Sequence, residues 1–155
     1  GVCNGCQVVS YFKDIIPGYE MEENESGRFE SRYSTVKINK TNSIMLHGME
    51  GCQLGVWVAH GEGRFKVDEE KIELDDQVAI QYIDYFSRQT EAYPHNPNGS
   101  KYGIAALCSK DGRHLVMMPH PERTFLSWQL PYNPKKWKGY SPWFQMFRNA
   151  YEWCV

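Results

Sequence analysis

Three side chains stand in surroundings that suit nucleophilic chemistry. Cys3 lies between Gly1 and Gly5, and the apolar spacing from Cys6 to Phe12 predicts a short helix that ends before Pro17-Gly18. A cysteine at a turn into a helix, flanked by small residues, resembles a nucleophile elbow, in which the side chain is held exposed. The free amides at the start of such a helix favour negative charge beside them. His120 is bracketed by Pro119 and Pro121, which stiffen the backbone and remove two amide donors. Glu122 follows two residues later and can accept a hydrogen bond from one imidazole nitrogen, leaving the other for the thiol. Taken singly, Cys3 reads equally well as a small buried residue, His120 as a structural turn histidine and Glu122 as a solvated partner of Arg123. Together they form a nucleophile, a base and an orienting carboxylate.

These residues need a scaffold to meet. Phe29 to Ile38, Leu54 to Ala59 and Val78 to Ile83 have the β-branched and aromatic content of strands, and residues 20–28 read as a polar loop. The strand ending at Ala59 runs into His60-Gly61-Glu62-Gly63-Arg64, a permissive turn that is a candidate for ligand contact. Glu91 to Lys101 is rich in turn formers and reads as a loop of defined shape. Ile104 to Cys108 and His114 to Met118 flank Asp111-Gly112, a strong hairpin signal, and this hairpin delivers the chain to Pro119-His120-Pro121-Glu122. Ser141-Pro142 opens a terminal helix with Trp143, Met146, Phe147 and Ala150 on one face.

Composition narrows the function classes. The 155 residues suit one domain with one core. Seventeen basic against 19 acidic residues, with no long run of one sign, leave no footprint for nucleic acid or an anionic membrane. No apolar stretch approaches the roughly 20 residues of a membrane-spanning helix. Five cysteines without framework spacing and no signal-peptide pattern predict a soluble protein in a reducing, cytoplasmic setting. The triplets Asn24-Glu25-Ser26 and Asn98-Gly99-Ser100 match a glycosylation pattern that arises readily by chance.

Two segments, Gly1-Val2-Cys3-Asn4-Gly5-Cys6-Gln7 and Met118-Pro119-His120-Pro121-Glu122-Arg123, resemble the two signatures of class I glutamine amidotransferases. His60 to Arg64, Thr90 to Ser100 and Ser141-Pro142-Trp143 are similar to the amidotransferase domain of the synthases that form formylglycinamidine ribonucleotide in purine biosynthesis. The resemblance implies an α/β, flavodoxin-like sandwich of the class I amidotransferase type, with residues 1–155 as the C-terminal portion of the domain, truncated before the nucleophile elbow. It implies a catalytic triad of Cys3, His120 and Glu122, with Gln7, His60, Gly61 and Glu62 at the glutamine substrate. Glutamine would be hydrolysed to glutamate and ammonia through a glutamyl thioester. The implied partners are a synthetase domain of the same enzyme, which would use ATP and magnesium, and the missing N-terminal part of the amidotransferase domain, which would supply an oxyanion donor. Neither a metal nor a cofactor is expected in the chain itself. Two other readings stay open: a fragment that serves as a scaffold, and a metal or redox module built on Cys3-Asn4-Gly5-Cys6 with His47, His60, Cys52 or Cys108.

Overall fold

The computed structural model describes residues 1–133 and 137–155. Chain order is helix α1 (Asn4–Val9), strands β1 (Tyr19–Glu22), β2 (Glu30–Ile38), β3 (Gln53–His60) and β4 (Arg64–Val67), a single-turn helix α2 (Leu74–Gln77), strands β5 (Val78–Tyr82), β6 (Ile104–Cys108) and β7 (Leu115–Met117), and helix α3 (Phe144–Cys154). Five strands form one sheet in the order β3-β2-β5-β6-β7, and β1 pairs with β4 in a second, two-stranded sheet.

Alternation sets the faces. Leu54, Val56, Val58 and His60 are buried along β3, while the residues between them are exposed or half-buried, as a strand with one face on a core requires. Along β7 and just beyond it, Leu115 and Met117 enter one core cluster and Val116 and Met118 the other. Trp143 and Met146 close the first cluster together with Leu46 and Met49. Ser141 secures the entry to α3, because its Oγ accepts the Trp143 amide at 3.2 Å and its carbonyl accepts the Phe144 amide at 3.0 Å. Cys6, Ile16, Tyr19, Phe65 and Ile72 fill the second cluster.

One expectation needs correction. Residues 20–28 do not form a loop throughout, because Tyr19–Glu22 is a strand paired with Arg64–Val67. Its stabilisation is non-local: the Tyr19 hydroxyl donates to the Cys6 carbonyl at 3.0 Å, and the Glu22 carboxylate takes Arg64 at 2.7 Å and Lys66 at 3.1 Å. The α/β expectation is met in its coarse form. Every strand pairing among the described residues is antiparallel, and the parallel relation is confined to the bridge between Val2 and Met117. A short connection accounts for the β6–β7 pairing. β6 and β7 join through a turn in which Gly112 adopts φ 75°, whereas parallel neighbours need a crossover of a dozen or more residues. The architecture is α/β with an antiparallel sheet. No helix among the described residues is long and apolar enough to cross a membrane.

Candidate active site

Residues 1–3 extend the large sheet past β7. The Gly1 amine donates to the Leu115 carbonyl at 2.8 Å, Gly1 O accepts from Met117 N at 2.9 Å, and Cys3 N donates to Met117 O at 2.8 Å. Cys3 then turns sharply into α1 with φ 50° and ψ −108°, a conformation that costs a non-glycine residue about 1–3 kcal/mol. Gly1 is required by close approach, since a Cβ there would lie 2.6 Å from the Gly5 carbonyl oxygen; a Cβ at Gly5 would meet nothing. The Gly5 and Gln7 amides bond back to Val2 O and Cys3 O, leaving the Asn4 amide as the donor next to the thiol. The Cys3 Sγ lies 3.6 Å from the Ala59 carbonyl oxygen at the end of β3.

His120 reaches the same place from the other direction. Its amide donates to the Trp57 carbonyl at 2.8 Å, so the residue after the β6–β7 hairpin is bridged to β3. Pro121 starts a single 3₁₀ turn over Pro121–Arg123. Thr124, fully buried, locks that turn by donating from its hydroxyl to the Pro121 carbonyl at 3.1 Å. The His120 Nδ1 is 2.6 Å from Glu122 Oε1, which also lies 3.5 Å from Arg123 Nε. Glu122 therefore serves both the imidazole and Arg123. The His120 Nε2 is buried and has no hydrogen-bond partner among the described residues, yet the Cys3 thiol is the largest influence on the ring's proton affinity. Contact with Cys3, and then with Glu122, raises the His120 pKa above its ordinary value against the opposing effect of burial. Cys3, His120 and Glu122 are thus brought together from positions 3 and 120–122.

The remaining nominated residues line the turn that follows β3. Gln7 Nε2 donates to the Glu62 carbonyl at 2.8 Å, joining α1 to the turn. The Glu62 side chain is exposed, and a cleft of about 400 Å³ opens between Asn4, Gln7, Tyr11, Glu22, Glu23 and Glu62. Gly61 is half-buried, and its carbonyl accepts the Asn24 amide at 2.8 Å. His60 is buried, and a Cβ at Gly63 would meet its Nδ1 at 2.4 Å, so the ring lies against a position that only glycine can fill.

Burial pushes the His60 pKa down to about 4, with the nearby His120 as a further depressing charge. A depressed histidine stabilises the fold above its unfolded value near 6.5, and that contribution is lost as pH falls toward the folded value. Between pH 7 and pH 5 this amounts to about 2 kcal/mol. Urea unfolding at the two pH values is expected to show this loss, and His60→Asn to flatten it; an unchanged slope would trace the acid sensitivity to other groups.

The sequence left Asn24, Asn98 and Ser100 as chance glycosylation triplets, but all three are buried. Asn98 Nδ2 donates to the Gly63 carbonyl at 2.6 Å, the Ser100 hydroxyl donates to Asn98 Oδ1 at 2.7 Å, and Phe65 N donates to Ser100 Oγ at 2.9 Å. They brace the turn from behind.

The alternative C-x-x-C reading also meets the geometry. Cys6 is fully buried, its thiol pushed up to about 12 by desolvation, and its Sγ faces Met21 Sδ at 3.9 Å, while Cys3 faces Ala59 and His120. All five cysteines are free thiols, and no three potential metal-binding side chains converge among the described residues.

Comparison with known proteins bears on the whole chain. Residues 1–154 match the CobB/CobQ-like glutamine amidotransferase domain. The chain is 49% identical to the probable phosphoribosylformylglycinamidine synthase, chloroplastic/mitochondrial, of Arabidopsis thaliana, covering 99% of this chain and 12% of that protein. It is 46% identical to phosphoribosylformylglycinamidine synthase of Drosophila melanogaster, over 100% of this chain and 13% of that protein. The Dictyostelium discoideum enzyme of the same name is 45% identical, with 99% and 13% covered. The chain therefore spans about an eighth of the length of these relatives. The structure of PurLQS from Thermotoga maritima superposes with a TM-score of 0.72 at 22% identity, covering 100% of this chain and 61% of that chain, which is a likeness of fold.

Proposed function

Because this chain belongs to the CobB/CobQ-like glutamine amidotransferase domain family, we propose that it releases ammonia from glutamine, with Cys3 as nucleophile, His120 as general acid and base, and Glu122 as the group that orients His120. The observation that carries this reading is the imidazole of His120. Its Nδ1 is held by Glu122 at 2.6 Å, and its buried Nε2 is left to the Cys3 thiol. That arrangement fixes the tautomer and stabilises the imidazolium formed when Cys3 gives up its proton.

Cys3 Sγ attacks the carboxamide carbon of glutamine, and the Asn4 amide stabilises the oxyanion. His120 returns its proton to the leaving nitrogen, so ammonia departs and a glutamyl thioester remains on Cys3. Water, deprotonated by the neutral His120, then attacks the thioester, and glutamate leaves with the thiol restored. Gln7, His60, Gly61 and Glu62 line the substrate side, and the exposed carboxylates of Glu23 and Glu62 in the Gln7 cleft suit the α-ammonium group of glutamine.

In this reading residues 1–155 are the C-terminal portion of a class I amidotransferase sandwich, and further parallel strands would add beside Val2. The ammonia serves a synthetase part that consumes ATP with magnesium and converts formylglycinamide ribonucleotide to its amidine. Five free thiols fit a reducing compartment such as the cytoplasm.

A glutamine-like electrophile applied to the full-length protein tests the site. Peptide mass spectrometry is expected to find the adduct on Cys3 alone among the five cysteines, and excess glutamine to prevent it. Labelling that is absent, or that spreads over several cysteines regardless of glutamine, would instead support a scaffold role.

A further inference from the structure

Asn24 takes part in six hydrogen bonds, four of them with residues 60–63 and the other two with Gly27 and Arg28. Its amide donates to Gly61 O at 2.8 Å. Its side-chain Nδ2 donates to His60 O at 2.7 Å and to Arg28 O at 2.8 Å. Its Oδ1 accepts the Gly63 amide at 3.0 Å and lies 3.1 Å from His60 Nδ1. Rotating the carboxamide by half a turn would set Oδ1 against two carbonyls and the amino group against an N–H, so the orientation has no alternative. Oδ1 can only accept, and His60 must therefore carry its hydrogen on Nδ1 and leave Nε2 as a bare acceptor. That Nε2 is buried and has no partner among the described residues.

The gripped turn meets every part of the proposed machinery. Ala59 O, one residue before it, is the neighbour of Cys3 Sγ; Glu62 O holds Gln7; and the strand that enters it carries the Trp57 carbonyl that anchors His120. The charged and titratable groups around the His60 ring are His120, Glu30 and Arg32. Glu30 stands opposite His60 in the β2–β3 register and is ion-paired with Arg32. The Arg32–Glu30 pair is internally neutralised, which leaves His120 as the group that a charge on His60 would disturb most. A cation on His60 would oppose a proton on His120.

We propose that Asn24 is a positioning residue for glutamine hydrolysis, which shapes the 60–63 turn and holds His60 as a neutral Nδ1–H tautomer so that His120 alone carries the catalytic proton. The inference rests on the function proposed above. A carboxylate in place of the carboxamide keeps an acceptor for Gly63 N and His60 Nδ1, loses both donations, and stabilises a charged His60.

The experiment is the pH profile of kcat/KM for glutamine hydrolysis in the full-length protein, for wild type, Asn24→Asp and Asn24→Ser, with iodoacetamide alkylation of Cys3 as a check that the site is assembled. Asn24→Asp is expected to lose roughly 10- to 100-fold at neutral pH and to recover part of it as pH rises, through an inflection absent from wild type. Asn24→Ser adds no charge and is expected to raise KM for glutamine roughly 10-fold, without a new inflection. If Asn24→Asp does not fold, the KM of Asn24→Ser decides, and a value within twofold of wild type overturns the proposal. Losses by one factor at every pH in both variants, or a wild-type profile in Asn24→Asp, also overturn it. Wild type that hydrolyses no glutamine would overturn the functional reading as well.

Discussion

Cys3→Ala is expected to reduce glutamine hydrolysis by at least about 1000-fold, because the nucleophile and its base act as a unit and the residual rate comes from binding and oxyanion donors alone. On the proposed function, ammonia added directly to the full-length protein should still support amidine formation, since the substitution touches only the supply of nitrogen. Stability offers an independent reading of the same residue. Cys3 holds φ 50°, and alanine keeps that strain whereas glycine relieves it. Cys3→Gly should therefore be as inactive as Cys3→Ala but more stable by about 1 kcal/mol, measured by urea unfolding. An alanine variant with more than a tenth of wild-type glutaminase activity would remove Cys3 from the mechanism, and equal stabilities would remove the strain argument.

Replacing His120 by alanine should be nearly as severe, about 1000-fold, while Glu122→Gln should cost about 10- to 100-fold because it weakens orientation without deleting the base. Proton affinity separates the two. The His120 pKa is raised first by Cys3 and then by Glu122. A raised histidine stabilises the fold below its unfolded value, and the contribution disappears as pH rises through the folded value. In Glu122→Gln the folded value should fall, so this loss sets in at lower pH and the acid limb of Cys3 alkylation moves the same way. Alkylation profiles of the wild type and the glutamine variant would check this; coincident profiles would mean that Glu122 belongs to Arg123 rather than to His120.

The elements carrying these residues were largely legible in the sequence because their signals are local. Asp111-Gly112 marked the hairpin, β-branched and aromatic content marked β3, and Ser141-Pro142 marked the approach to α3, whose buried side includes Met146 and Asn149. Phe147 and Ala150 lie only half-buried there. What escaped was non-local. β1 has an unremarkable acidic sequence and becomes a strand only because β4 offers an edge more than 40 residues later. The flavodoxin-like layer followed from resemblance, and the described strands are antiparallel for want of crossover helices. At the site, Cys3, His120 and Glu122 announced themselves by glycine and proline neighbours. Asn24 did not, since an asparagine that serves as a bracket looks like any turn residue until its partners are in place.

The strand-like run of residues 1–3 is held almost wholly by the far end of the chain: Gly1 by Leu115 and Cys3 by Met117, each across 114 positions. Contacts of such separation form late, after the intervening loops have closed and lost their entropy. During synthesis this makes the thiol an orphan, emerging among the first of these residues yet lacking its histidine and its sheet until more than a hundred others have followed. Its reactivity toward glutamine-like probes would then serve as a clock for the completion of folding, silent in every intermediate in which the β6–β7 hairpin has not docked.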